Sequence, residues 1–135
     1  MIALALAAVL AAEKTPAAAR AVVARYYAAI EARRYRDAYR CWDRGGAASG
    51  QSLAAFTRGF ARTRRVTVRT GAPTDGEGAA GSAFVTVPVT VSATLRDGTP
   101  QRFVGSYVLR RVNDVDGATP AQLRWHLASA RLRRG

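Results

Sequence analysis

The sequence is poor in the residues on which most enzyme chemistry depends. It has one cysteine, one histidine and nine acidic residues among 135. A single Cys41 excludes an intrachain disulfide. A catalytic thiolate at Cys41 would want a histidine nearby, and His126 is far along the chain, so Cys41 reads as a small, half-buried apolar residue. Histidines, cysteines and carboxylates do not cluster at metal-ligand spacing, and zinc knuckles and the glycine-rich dinucleotide fingerprint are missing. No metal and no cofactor is expected. No apolar run approaches the roughly 20 residues that a membrane-spanning helix needs.

Acidic residues are also missing where a buried base would sit. Asp75, Glu77, Asp97, Asp114 and Asp116 all fall in loops or turns, and the interiors of the expected strands carry no carboxylate. Basic residues are plentiful by contrast. Lys and Arg together number 21 against the nine acids, a formal net charge of +12, and only Lys14 is a lysine. Such a surface attracts polyanions without selectivity. Arg62, Arg64, Arg65 and Arg69 form the densest basic patch, with Arg110 and Arg111 as candidates to join it. Arginine suits phosphate and carboxylate geometrically, so this patch is the candidate anion-binding surface. No strand interleaves exposed aromatics with arginine as a base-stacking platform would, so specific nucleic acid binding is not expected.

The N-terminus is apolar without interruption from Ile2 to Ala12, and Glu13-Lys14-Thr15-Pro16 then breaks the run. That length and break fit the core of a secretory signal peptide, although no basic residue precedes it. Residues 1–12 are therefore assigned to a signal peptide and residues 15–135 to one domain, periplasmic or secreted.

Thr15-Pro16 is a helix start, with threonine as cap and proline at the first helical position. Val22, Val23, Tyr26, Tyr27 and Ile30 recur at helical spacing. The phase slips at Arg33-Arg34, and Tyr35, Ala38, Tyr39 and Trp42 resume it, so two helices or one bent helix run to Gly45-Gly46. A third helix is expected from Ser52, its cap, to about Thr63, with Leu53, Phe56 and Phe60 as its apolar stripe. Strands follow: Val66–Thr70; Ser82–Leu95, with Val85, Val87, Val89 and Val91 on one face; Gln101–Val112 across an Asp97-Gly98 hairpin; and Leu123–Leu132 before a frayed tail. Pro88 cannot donate to a ladder and marks an edge or a bulge. Gly45–Ser52 has the glycine spacing of a phosphate-binding loop. Gln51 stands where its lysine belongs, and a helix precedes it where a strand is required, so that reading fails.

Helices followed by an antiparallel sheet define an α+β domain. The run Tyr26–Trp42, then Ser52–Phe60, then the closing Leu123–Leu132 with its tryptophan, resembles the nuclear transport factor two-like superfamily, also called cystatin-like or SnoaL-like. The resemblance implies N-terminal helices packed on a strongly curved, cone-like antiparallel sheet, and a homodimer formed through that sheet. It also implies a cone that is filled by side chains or holds a small apolar ligand. Enzymes of this superfamily commonly place an aspartate or histidine in the cone beside tyrosine donors. By that pattern His126, Asp37, Tyr26 and Tyr39 are the candidate catalytic residues of an isomerase, dehydratase or hydrolase. Strand alternation sets His126 opposite Trp125 and Leu127, and Asp37 lies between Arg36 and Arg40 as a surface ion pair would. The reading that follows is an exported binding or interaction module without evident catalysis. Its alternatives are such an enzyme, or an accessory domain that binds an envelope polyanion or a component of a secretion machine.

Overall fold

The computed structural model describes residues 14–76, 78, 81–113 and 116–135. The proposed signal segment lies outside the described residues, apart from the break that follows it.

Helix α1 (Pro16–Glu31) starts where Thr15 accepts a hydrogen bond from the Ala18 N–H. Its buried face, including Val22, Val23, Tyr26, Tyr27 and Ile30, is the stripe that the spacing predicts. The helix ends in a turn where Arg33 takes a positive φ of 64°. Helix α2 (Tyr35–Arg40) follows, so the phase slip is a true break between two helices. A 3₁₀ segment (Arg44–Ser49) follows, and Asp43 caps it through the Arg44 N–H. Helix α3 (Leu53–Arg58) is capped by Ser52 and is shorter than the sequence pattern suggests.

The sheet contains β1 (Thr63–Thr70), β2 (Thr74–Asp75), β3 (Ser82–Leu95), β4 (Pro100–Val112) and β5 (His126–Arg134). Strands run antiparallel in the order β1-β3-β4-β5, and β2 pairs with β3 beyond the end of β1. Pro88 explains that gap. Its carbonyl faces Gly71, between the end of β1 and the start of β2, so its missing N–H falls where no strand needs a donor.

The cone-like expectation is corrected by this topology. The sheet is open, neither closed nor strongly curled, and β1 and β5 never pair. Each edge is occupied by something else. Along β1, Arg20 bonds the Thr70 hydroxyl and carbonyl, Glu31 accepts the Val66 N–H at 2.6 Å, and Arg33 donates to the Arg64 carbonyl. Side chains of α1 and of the turn after it thus satisfy edge groups that would otherwise seek a strand. At the start of β5, Leu127 exchanges backbone hydrogen bonds with Cys41 and Asp43. The last strand is also displaced from its expected place. Leu123–Trp125 stays outside it, whereas Arg133 and Arg134, expected to fray, pair with Val104 and Phe103.

One core lies between α1 and the inner sheet face. Val85, Val87, Val89 and Val91 of β3 and Leu109 and Leu127 from β4 and β5 are buried there. Each such side chain contributes roughly 1.5–3 kcal/mol by leaving water.

Candidate functional site

The helices and the open sheet leave a cavity of about 510 Å³ between them. Its walls are mostly apolar, with Phe60 from the turn after α3, Val66, Val91 and Phe103 from the sheet, and Leu132, which is 38 % exposed. Its polar groups come chiefly from three tyrosines and one tryptophan: Tyr26 and Tyr27 of α1, Trp42 after α2, and Tyr107 of β4. All four side chains are at least nine-tenths buried. They hold one another edge to face, the Tyr26 ring lying 6.2 Å from Trp42 and 6.0 Å from Tyr107.

Helical and strand periods explain the convergence. Tyr26 and Tyr27 are neighbours on α1 and both fall within its wide buried face. Tyr107 lies opposite Val87 and Ala130 on the inward register of the sheet. Its hydroxyl oxygen is 2.5 Å from that of Tyr27. Burial raises both tyrosines, Tyr27 to about 12 and Tyr107 well beyond the tyrosine range. Their shared hydrogen bond eases ionisation of Tyr27 and opposes that of Tyr107. Either hydroxyl can donate in this bond, and the accepting one keeps its own proton free to point elsewhere. Burial raises Tyr26 as well, and the nearby Trp42 indole N–H offsets part of that effect. The approach falls short of hydrogen-bond geometry, so the buried Trp42 Nε1 is left without a partner.

Chemically, this is a cluster of neutral hydrogen-bond donors in an apolar setting. It can bind and polarise a carbonyl or hydroxyl oxygen. Among the described residues neither a carboxylate nor an imidazole lines the cavity. Among the described residues no group of histidine, cysteine and carboxylate side chains could hold a metal ion.

The sequence candidates separate. Tyr26 lines the cavity, but Tyr39 donates instead to the Gln51 carbonyl at 2.7 Å and packs on Phe56. Asp37 is exposed on α2 beside Arg33, Arg34 and Arg36, at a shallow surface depression. His126 is on the outer sheet face, because Trp125 and Leu127 are buried on the other; its Nδ1 contacts the Arg124 carbonyl. Cys41 is half-buried with its thiol directed at the Asp37 carbonyl. Burial pushes that thiol up, against the pull of Arg25, so it stays protonated. The basic patch also divides. Arg65 and Arg69 sit on the outer sheet face, Arg62 lies beside Leu95 and Asp97 at the hairpin, and the Arg64 carbonyl binds Arg33. Arg110 and Arg111 do not join it. Arg110 pairs with Asp43 at 3.1 Å and with Ser82, and Arg111 is buried against the Leu123 carbonyl.

Tyr107 and the Trp42 donor were not singled out by the sequence. The available signal was alternation in β4, where Phe103, Tyr107 and Leu109 share the inward side; the bulge beside Leu109 belongs to β5, where Ala128 is the extra residue.

No protein-family model matches the chain, and no curated protein matches it. The chain is similar to a crystal structure at 1.50 Å resolution of a protein from Novosphingobium aromaticivorans provisionally named a scytalone dehydratase. The TM-score is 0.57 and the identity 13 %, over 86 % of this chain and 80 % of that one. At that identity the likeness is one of fold. It agrees with the resemblance to the nuclear transport factor two-like fold that the sequence carries.

Proposed function

We propose that the chain is a small-molecule enzyme of isomerase–dehydratase type whose acid is the Tyr107–Tyr27 pair. The histidine or aspartate that the resemblance implied has no place in this reading, because neither His126 nor Asp37 lines the cavity. The observation that carries the proposal is the coupled hydroxyl pair, buried at the wall of an apolar cavity beside the unpartnered Trp42 N–H. The dehydratase name of the similar structure supports the reaction class by fold analogy.

The substrate class is a small, largely apolar β-hydroxy carbonyl compound. Tyr26 donates to its carbonyl oxygen, which acidifies the adjacent C–H. Tyr27 gives its proton to the β-hydroxyl, which leaves as water. The resulting tyrosinate, held by the Tyr107 hydrogen bond, removes the proton from the adjacent carbon. The C–O and C–H bonds break, a C=C bond forms, and Tyr27 ends protonated as it began. Burial makes Tyr27 a stronger base for that second transfer and a weaker acid for the first, so the two transfers must be tightly coupled.

A second reading rests on a separate observation. With no carboxylate or imidazole in the cavity lining among the described residues, the same hydroxyls would also suit a binding module that holds such a compound unchanged. Export is a further proposal, supported by the Ile2–Ala12 apolar run.

A panel of β-hydroxy ketones, monitored by enone absorbance and by tryptophan fluorescence, separates the two. The enzymatic reading expects turnover that falls about a hundredfold or more in Tyr27→Phe while binding persists. Saturable binding with no turnover in the parent protein overturns it in favour of the binding module.

A further inference from the structure

The outer face of the sheet carries a second surface that the cavity does not explain. Strand register fixes which residues share it. Arg69, Thr90, Val104 and Arg133 form one row across β1, β3, β4 and β5. Thr67, Ser92 and Arg102 form the next, Arg65 and Thr94 a third, and Pro88, Ser106 and Arg131 a fourth on the other side. Arg65, Arg69, Arg102, Arg131 and Arg133 are all exposed. No carboxylate stands in these rows. Glu31 reaches the margin, 3.9 Å from Arg65. Between β1, β3 and β4 the face dips into a depression of about 360 Å³ that includes Thr67, Arg69, Thr90, Ser92 and Arg102. Two guanidinium groups thus accompany three hydroxyls at one shallow site.

We infer that this face docks an acidic polysaccharide, with one uronate carboxylate seated between Arg69 and Arg102. Guanidinium groups bind carboxylates through paired N–H donors, and small hydroxyls match the hydroxyls of a sugar lying flat on a sheet. The four rows contain no aromatic side chain, so nucleic acid bases have nothing on which to stack. They contain no large apolar side chain to enter a lipid layer, since Val104 is half-buried. The same charge opposes the homodimer that the fold resemblance implies through the sheet. A two-fold axis on this face would set five arginines against five.

The test is polygalacturonate binding in 0.15 M salt, compared with duplex DNA and with phosphatidylglycerol vesicles at the same ionic strength. Two double variants of equal net charge are needed: Arg69→Ser/Arg102→Ser on the face, and Arg36→Ser/Arg58→Ser on exposed helix positions. The face variant is expected to weaken polygalacturonate binding by about tenfold or more. The helix variant should change it less than about twofold, as expected for screened distant charges. Equal losses in both variants would reduce the effect to net charge and overturn the site. DNA or vesicles bound as tightly as polygalacturonate would overturn the choice of partner. The Tyr27→Phe protein should bind polygalacturonate as the parent does, so failure here is separable from failure of the enzymatic reading.

Discussion

The hydroxyl of Tyr107 on β4 meets that of Tyr27 on α1 across 80 residues of chain, and this bond ties helix to sheet at the floor of the cavity. Both rings are almost fully buried. Removing either hydroxyl strands the other. Tyr27→Phe or Tyr107→Phe should each cost about 1–2 kcal/mol, whereas the double variant should lie near the parent because neither polar group is then left unpaired. Urea unfolding measures all four proteins. Additive losses in the double variant would mean that the two hydroxyls do not depend on each other.

Alkaline stability follows from the same burial. The folded pKa of Tyr27 is raised to about 12, and those of Tyr26 and Tyr107 are raised further. Above pH 10 the unfolded chain binds fewer protons at these groups than the folded one, so unfolding becomes easier as pH rises. Stability from Tyr27 is intact below pH 10 and declines by about 1.4 kcal/mol per pH unit between there and 12. Tyrosinate absorbance should therefore show these three tyrosines, of five in the chain, ionising late and together with loss of the fold. Their ionisation near pH 10 with the fold intact would contradict the buried cluster.

Much of this architecture could be read from residue order because local rules and tertiary packing agree. The valines of β3 alternate without error, and burial follows them. The orientation of His126 followed from its neighbours Trp125 and Leu127. The unread parts depend on long-range partners. Thr63-Arg64-Arg65 has no apolar alternation, yet it belongs to β1 because Thr63 and Arg65 pair with Leu95 and Thr94. Arg133 and Arg134 join β5 because Val104 and Phe103 receive them, and the Arg134 guanidinium lies 5.8 Å from the centre of the Phe103 ring. Sheet curvature leaves no trace in strand periodicity, so the cone was inherited from the resemblance alone. Tyr107 escaped notice because its partner is on another element, 80 positions away.

Asp43 joins two devices in one carboxylate. One oxygen accepts the Arg44 N–H at the start of the 3₁₀ segment, and the other meets the Arg110 guanidinium at 3.1 Å. Both partners are partly shielded, with side chains 36 % and 22 % exposed for Arg110 and Asp43. Asp43→Ala should cost about 1–2 kcal/mol, combining a lost cap with a half-exposed ion pair. Asp43→Asn retains an acceptor and should cost about half as much. Thermal melts at low and high salt distinguish the parts, because only the ion-pair share should shrink with added salt.

Gly105 is the point at which one missing side chain sets the cavity wall. It lies in β4 opposite Leu132, and a Cβ placed there would run into the backbone carbonyl of Arg131. Backbone cannot rotate aside as a side chain can, so Gly105→Ala must push β5 away from β4. Ala130 and Leu132 of that stretch line the cavity and would move with it. The expected loss is about 2–4 kcal/mol, with faster amide exchange over residues 130–134. Gly98→Ala in the hairpin provides the contrast. Its φ is 90° and the space beside it is open, so only backbone strain of about 1–2 kcal/mol applies and exchange in β5 should be unchanged. If Gly105→Ala unfolds at the parent's urea midpoint, β5 does not pass that close to β4, and the Leu132 wall of the cavity loses its position.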